Sequence, residues 1–241
     1  TDKATPLNVT NHTYWNLSGD AKRDILTHQA RVNAKMYVVA FDNTIRQDKN
    51  NSTHRYTPAN AEAIPLGTIE KLTEPLDLTS MTNLWERVPD ADGFGQPGID
   101  HNYVIERSSE GDDSLVRVVF GKYSWFLGAR KIREEFHQHH AMSLAHSINQ
   151  STRTQVLAAE LYDEVSGRHM RVLTTEPGVQ VYTMNWASTD KKDHPHTQHN
   201  AICFEAQHYP NSINTPAFPN TVLRPGEVYR QKTVHQFSVV Q

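Results

Sequence analysis

Val156-Leu157-Ala158-Ala159-Glu160-Leu161-Tyr162-Asp163-Glu164 is followed by the turn Ser166-Gly167-Arg168 and then by a second extended run, Arg168–Thr175. Two runs rich in β-branched and aliphatic residues, broken by a Ser-Gly turn, read as strand–turn–strand. Pro177-Gly178 then starts Val179–Trp186. There Val179 and Val181 face one side while Gln180 and Tyr182 face the other, because side chains alternate along a strand. Ala201–Tyr209 is the next strand candidate, and its alternation puts Cys203, Glu205 and Gln207 on one face. After a Pro225-Gly226 turn, Tyr229–Val240 closes the chain as a last strand. Twelve prolines and eleven glycines punctuate these runs where turns fall. The expected fold class is all-β, a sandwich.

Two stretches depart from that texture. Asp48–Ala63 is polar and reads as a long surface loop. Ala129–Ile148 lacks Pro and Gly and spaces Ile132, Phe136, His140 and Leu144 at i, i+4, which makes it a helix candidate with a thin apolar stripe.

Composition narrows the function. The 241 residues suit one large β domain, with 37% apolar and 21% charged residues. Twenty-four Lys+Arg against 27 Asp+Glu give a net charge of −3 with no basic stripe, which argues against nucleic-acid binding through phosphate neutralisation. No apolar run approaches the roughly eighteen residues of a membrane helix. A single cysteine, Cys203, excludes an intrachain disulfide framework and a multi-cysteine zinc module. No basic n-region or apolar h-region opens the chain, so the Asn-x-Ser/Thr triplets at Asn8, Asn11, Asn16, Asn50, Asn51 and Asn149 read as composition, and the expected compartment is the cytoplasm.

Several motifs invite a specific chemistry and do not sustain it. Gly93-Phe94-Gly95-Gln96-Pro97-Gly98 matches G-x-G-x-x-G, but Pro97 falls where helix N–H groups would hold a pyrophosphate, so the match reads as a loop. Glu134 with His137, His139 and His140, and the group His194, His196 and His199, lack a second carboxylate–histidine half or a cysteine partner, and no metal site is assigned to either. Cys203 reads as a buried thiol on a strand, with no His–Asn relay at a recognisable spacing.

Three other segments concentrate polar and aromatic groups: Asn11-His12-Thr13-Tyr14-Trp15-Asn16-Leu17, Gly98-Ile99-Asp100-His101-Asn102-Tyr103 and Ile202-Cys203-Phe204-Glu205-Ala206-Gln207. Glu205 sits inside an otherwise apolar strand, where burial penalises the charged carboxylate and lifts its pKa toward a general base's working range. His, Asp and Glu with aromatics on one sheet face are the groups needed to bind a sugar and move protons on it.

These motifs resemble the aldose 1-epimerase family. The likeness rests on Thr10–Leu17, Gly98–Tyr103, Thr174–Thr183 and the tail Phe204–Tyr229, with Glu205-Ala206-Gln207, Pro216-Ala217-Phe218-Pro219 and Leu223-Arg224-Pro225-Gly226-Glu227, all in family order. The resemblance implies a large antiparallel β-sandwich with the sugar in a cleft on one concave sheet. It implies cofactor-free interconversion of the α and β anomers of aldohexoses such as galactose and glucose. Glu205 resembles the general base, His12 the general acid at the ring oxygen, and Asp100 and Gln180 the residues that hold sugar hydroxyls. Trp15 and Tyr182 suit either sugar contact or core packing. The four site residues are expected to converge on one face.

Family chains begin well before the Asn-His-Thr-Tyr motif, and that part supplies a substrate-binding Arg and a second His. The sequence is therefore expected to be an N-terminally truncated chain, incomplete at the start of the fold. Residues 1–241 are expected to form a single sandwich domain, with 116–149 as a helical or disordered insertion outside it. Alternatives from other classes are a non-catalytic carbohydrate-binding module and an inactive fragment. A phosphosugar epimerase is disfavoured because no Arg/Lys cluster accompanies the motifs. The expected partner is a small sugar, with neither nucleic acid nor membrane.

Overall fold

The computed structural model describes residues 1–19, 23–38, 64–65, 67–91, 96–107, 154–187 and 197–240, with the backbone of short strands at 41–42, 46–47, 53–54 and 57–58. The chain divides into two compact units, one formed by Thr1–Ile105 with Thr154–Gln241 and the other by Glu106–Arg153. The second unit lies outside the described residues apart from Glu106 and Arg107, and so do the helix candidate Ala129–Ile148 and the expected insertion at 116–149.

The first unit is built on two five-stranded sheets whose described strand pairings are antiparallel. One sheet orders Cys203–Gln207, Gly178–Tyr182, Asp100–Ile105, Ala34–Val38 and Ile69–Lys71. The other orders Thr233–Val239, Arg168–Thr174, Val156–Asp163, Gln29–Val32 and Thr82–Asn83. Alternation gives each sheet one apolar face, and these faces meet. Tyr103, Val179, Val181 and Phe204 from the first sheet share a core with Ala30, Val32, Leu161, Met170 and Val172 from the second. Full burial of each valine, leucine, methionine or phenylalanine among them contributes roughly 1.5–3 kcal/mol. Tyr103, fully buried, satisfies its hydroxyl by donating to the Leu76 carbonyl at 2.8 Å.

The all-β sandwich expected from the sequence is the architecture observed, with shorter strands at several ends. The run read from Val179 to Trp186 ends its ladder at Tyr182, and Met184 then takes a positive φ of 52°. The last strand starts at Thr233, not Tyr229. The stretch Asp48–Ala63, read as a surface loop, supplies one strand to each of two short ladders: Thr57–Pro58 pairs with Phe41–Asp42, and Thr53–His54 with Arg46–Gln47, both partners lying just before it. Among the described residues no helix is long and apolar enough to cross a membrane.

Candidate active site

The outward face of the first sheet gathers the polar residues that the core rejects. In register, Asn102 lies opposite Gln180 and Gln180 opposite Glu205, while Asp100 lies opposite Tyr182 and Tyr182 opposite Cys203. Directly opposed residues of antiparallel strands share a face. Asp100, Asn102, Gln180, Tyr182, Cys203 and Glu205 therefore form two parallel rows across three strands.

His12 reaches this face from outside the sheets. Its segment runs along the free edge of the Cys203–Gln207 strand, tied at both ends. Trp15 and Ile202 exchange backbone hydrogen bonds of 2.8 and 3.0 Å, the Thr10 hydroxyl donates to the Ala206 carbonyl at 2.9 Å, and the Asn8 side chain brackets the His208 backbone. Between these ties, the Asn11 side-chain oxygen accepts from the Thr13 N–H and hydroxyl at 3.2 and 2.6 Å, an Asx turn with His12 at its centre. The Asn-His-Thr spelling thus presents the imidazole. His12 Nε2 lies 3.4 Å from Glu205 Oε1, and its ring stacks on Tyr14 at 5.1 Å with Tyr182 edge-on at 6.4 Å.

Electrostatics follow from this burial. Removal from water pushes the Glu205 carboxyl above its ordinary pKa, His12 pulls it back, and the Asp100 charge raises it further. Asp100 is raised as well, chiefly by burial, against the opposing pull of the Gln180 hydrogen bond and His12. That bond runs from Gln180 Nε2 to Asp100 Oδ1 at 2.8 Å. Burial likewise drives the Cys203 thiol upward, with Glu205 and Asp100 adding to the effect, so the group is a neutral thiol near pH 7.

The four residues singled out in the sequence thus form two contacting pairs: His12 with Glu205, and Asp100 with Gln180. Tyr182 joins them through its ring contacts. Trp15 does not, because its ring packs on the core and against His235 and Phe237 at 5.0 and 5.4 Å. The histidine group beginning at Glu134 lies outside the described residues, as do His194 and His196. His199 spends its Nδ1 on the Thr183 carbonyl at 2.9 Å. Of the G-x-G-x-x-G stretch, Gly98 is described, and its φ of 138° is one that an L side chain rarely adopts.

Sequence reasoning passed over two features. Asn102 is 3% exposed on the Gln180 face, yet neither atom of its amide has a hydrogen-bond partner among the described residues. Glu176 and His208 form a buried pair, Oε2 to Nδ1 at 2.6 Å, beside the rung where Gly178 meets Gln207. Glu176 stands in the quoted Thr174–Thr183 motif, but nothing local announces its partner 32 residues on.

The first unit is thus a two-sheet antiparallel sandwich with a histidine–carboxylate pair and hydrogen-bonding side chains on one sheet face. The family model described as aldose 1-epimerase matches residues 1–236, and the chain belongs to that family. It is 27% identical to the galactose mutarotase of Homo sapiens, covering 98% of this chain and 51% of that protein. It is 22% identical to the aldose 1-epimerase of Escherichia coli (strain K12), covering 98% of this chain and 52% of that one. Two solved structures share the fold. The GalM/aldose epimerase homologue from C. elegans gives a TM-score of 0.62 at 21% identity, covering 100% of this chain and 54% of that one. Galactose 1-epimerase from Lactobacillus acidophilus NCFM gives 0.58 at 16% identity, covering 100% and 51%. The chain spans about half the length of the curated relatives it matches.

Proposed function

We propose that this chain carries the acid–base pair of an aldose 1-epimerase acting on aldohexoses such as galactose and glucose. The observation that carries the reading is the contact of His12 Nε2 with Glu205 Oε1 at 3.4 Å, on the face that also holds Asp100 and Gln180. Opening a cyclic hemiacetal needs a base for the anomeric hydroxyl and an acid for the ring oxygen. Both oxygens are bonded to the same carbon, so the acid and base that serve them must lie within a few ångströms of each other.

Glu205 removes the proton from the anomeric hydroxyl as the C1–O bond to the ring oxygen breaks, and His12 supplies a proton to that oxygen. The result is the open-chain aldehyde. Rotation about C1–C2 and reclosure, with the roles reversed, gives the other anomer and restores both side chains. Burial raises the Glu205 carboxyl above its ordinary pKa, which makes its carboxylate a stronger base for that proton. Asp100 and Gln180 hold hydroxyls and fix the pose, and no cofactor takes part.

The test is Glu205→Gln in the complete protein, by polarimetry of freshly dissolved α-D-galactose with the spontaneous rate subtracted. The side chain keeps its size and loses the base, so the rate falls at least about 100-fold while sugar binding survives. An unchanged rate overturns the assignment. Binding without any acceleration in the unsubstituted protein favours a carbohydrate-binding module.

A further inference from the structure

The alternation that places Glu205 beneath His12 also places Cys203 there, one pleat away on the same strand. A ring nitrogen of His12, the sulfur of Cys203 and a carboxylate oxygen of Glu205 all lie within 4.8 Å of one another. The epimerase chemistry uses two of these groups and leaves the thiol idle.

The spacing is close to that of a coordination polyhedron. Two nitrogen or oxygen donors at about 2.05 Å from a tetrahedral zinc stand about 3.4 Å apart, and a nitrogen–sulfur pair about 3.6 Å. His12 Nε2 and Glu205 Oε1 already sit at 3.4 Å. The sulfur has to close by at most about 1.2 Å on that scale. His12, whose side chain is 50% exposed, is free to close on the sulfur, and the Glu205 carboxylate reaches it by side-chain rotation on a strand whose backbone stays in place. A mixed nitrogen, sulfur and oxygen set suits zinc and disfavours calcium or magnesium, which take oxygen ligands.

We propose that His12, Cys203 and Glu205 bind one zinc-class divalent cation, and that cation and sugar exclude each other. On binding, the Cys203 S–H bond breaks, its proton passes to solvent, and a sulfur–metal bond forms. Glu205 and His12 each donate a lone pair, and nothing is oxidised or reduced. Occupancy withdraws the base and the acid together, so the cation acts as a reversible inhibitor.

The experiment is a titration of the complete protein with cobalt(II) chloride, followed by absorbance. The expected result is one cobalt per chain with a thiolate-to-cobalt charge-transfer band in the near ultraviolet, abolished by zinc chloride and by a chelator. Cys203→Ala removes the band. His12→Asn weakens cobalt binding by more than the ~10–100-fold that outer-shell changes cost. Galactose raises the cobalt concentration needed for half-saturation. A cobalt complex without the thiolate band, or one left unchanged in either variant, overturns the site. The readout is metal absorbance, so the outcome is independent of whether the protein epimerises sugars.

Discussion

Replacing His208 by Leu is expected to destabilise the fold far more than its distance from the proposed chemistry suggests. Glu176 and His208 are 3% and 4% exposed as side chains and meet at 2.6 Å. Glu176 precedes the Gly178–Tyr182 strand and His208 follows the Cys203–Gln207 strand, so the pair pins the end of the ladder that aligns Gln180 with Glu205. His208→Leu takes the 2.6 Å imidazole contact away from the buried Glu176 carboxylate, and breaking a buried pair by removing one member costs about 3–5 kcal/mol. For a folded unit of this size that lowers Tm by roughly 6–20 °C. Glu176→Leu leaves the His208 imidazole without its carboxylate contact and costs less, about 1–3 kcal/mol.

The double variant Glu176→Leu/His208→Leu removes both members of the pair and fills similar volume, so it should cost clearly less than the two single changes added together. Urea unfolding of the four proteins supplies the cycle. Additivity within about 0.5 kcal/mol, or a cost below about 1 kcal/mol for His208→Leu, would refute the reasoning. A loosened ladder should also slow epimerisation, since small misplacement of reacting groups is costly.

Three further outcomes follow from the site and its supports. Burial raises the folded pKa of Glu205 above its unfolded value, so this group's contribution to stability is greatest at low pH and is lost as pH rises from the ordinary carboxylate range through the folded pKa; Glu205→Gln should therefore raise Tm at pH 7, with the gain vanishing below about pH 4, and a lower Tm at pH 7 would contradict this. Asp100 contributes to that raised pKa, so Asp100→Asn in the complete protein should move the acid limb of the epimerisation rate to lower pH, and a pH–rate profile with the limb unmoved or moved upward would remove Asp100 from the electrostatics of the base. Gly98 holds φ at 138° with the Asn185 amide against it, an amide that accepts from the Thr183 hydroxyl at 2.6 Å and donates to the Ile99 carbonyl at 3.1 Å; Gly98→Ala should cost at least roughly 1–3 kcal/mol, and an unshifted urea midpoint would show the turn to be free of strain.

Much of the fold was legible because its signals are local. Period-two alternation alone sends Val179 and Val181 inward and Gln180 and Tyr182 outward, since a strand has two faces and water selects between them. The same rule placed Cys203 and Glu205 on one face, and the Asn-His-Thr spelling carries its own Asx turn. Strand ends were less legible, because Tyr182 closes its ladder where the Met184 backbone turns, and no residue type there announces the change.

Tertiary structure alone decided which strands are neighbours. Asp100–Ile105 pairs with Gly178–Tyr182 across more than seventy residues, and only that pairing brings Gln180 within 2.8 Å of Asp100. It also laid the His12 segment along the edge of the Glu205 strand, hid Glu176 against His208, and brought the thiol of Cys203 to the same point as the acid and the base. Alternation determines the face a side chain takes, but it is degenerate in partner. Which edge meets which, and in what register, depends on packing two apolar sheet faces against each other, a condition that no single segment contains.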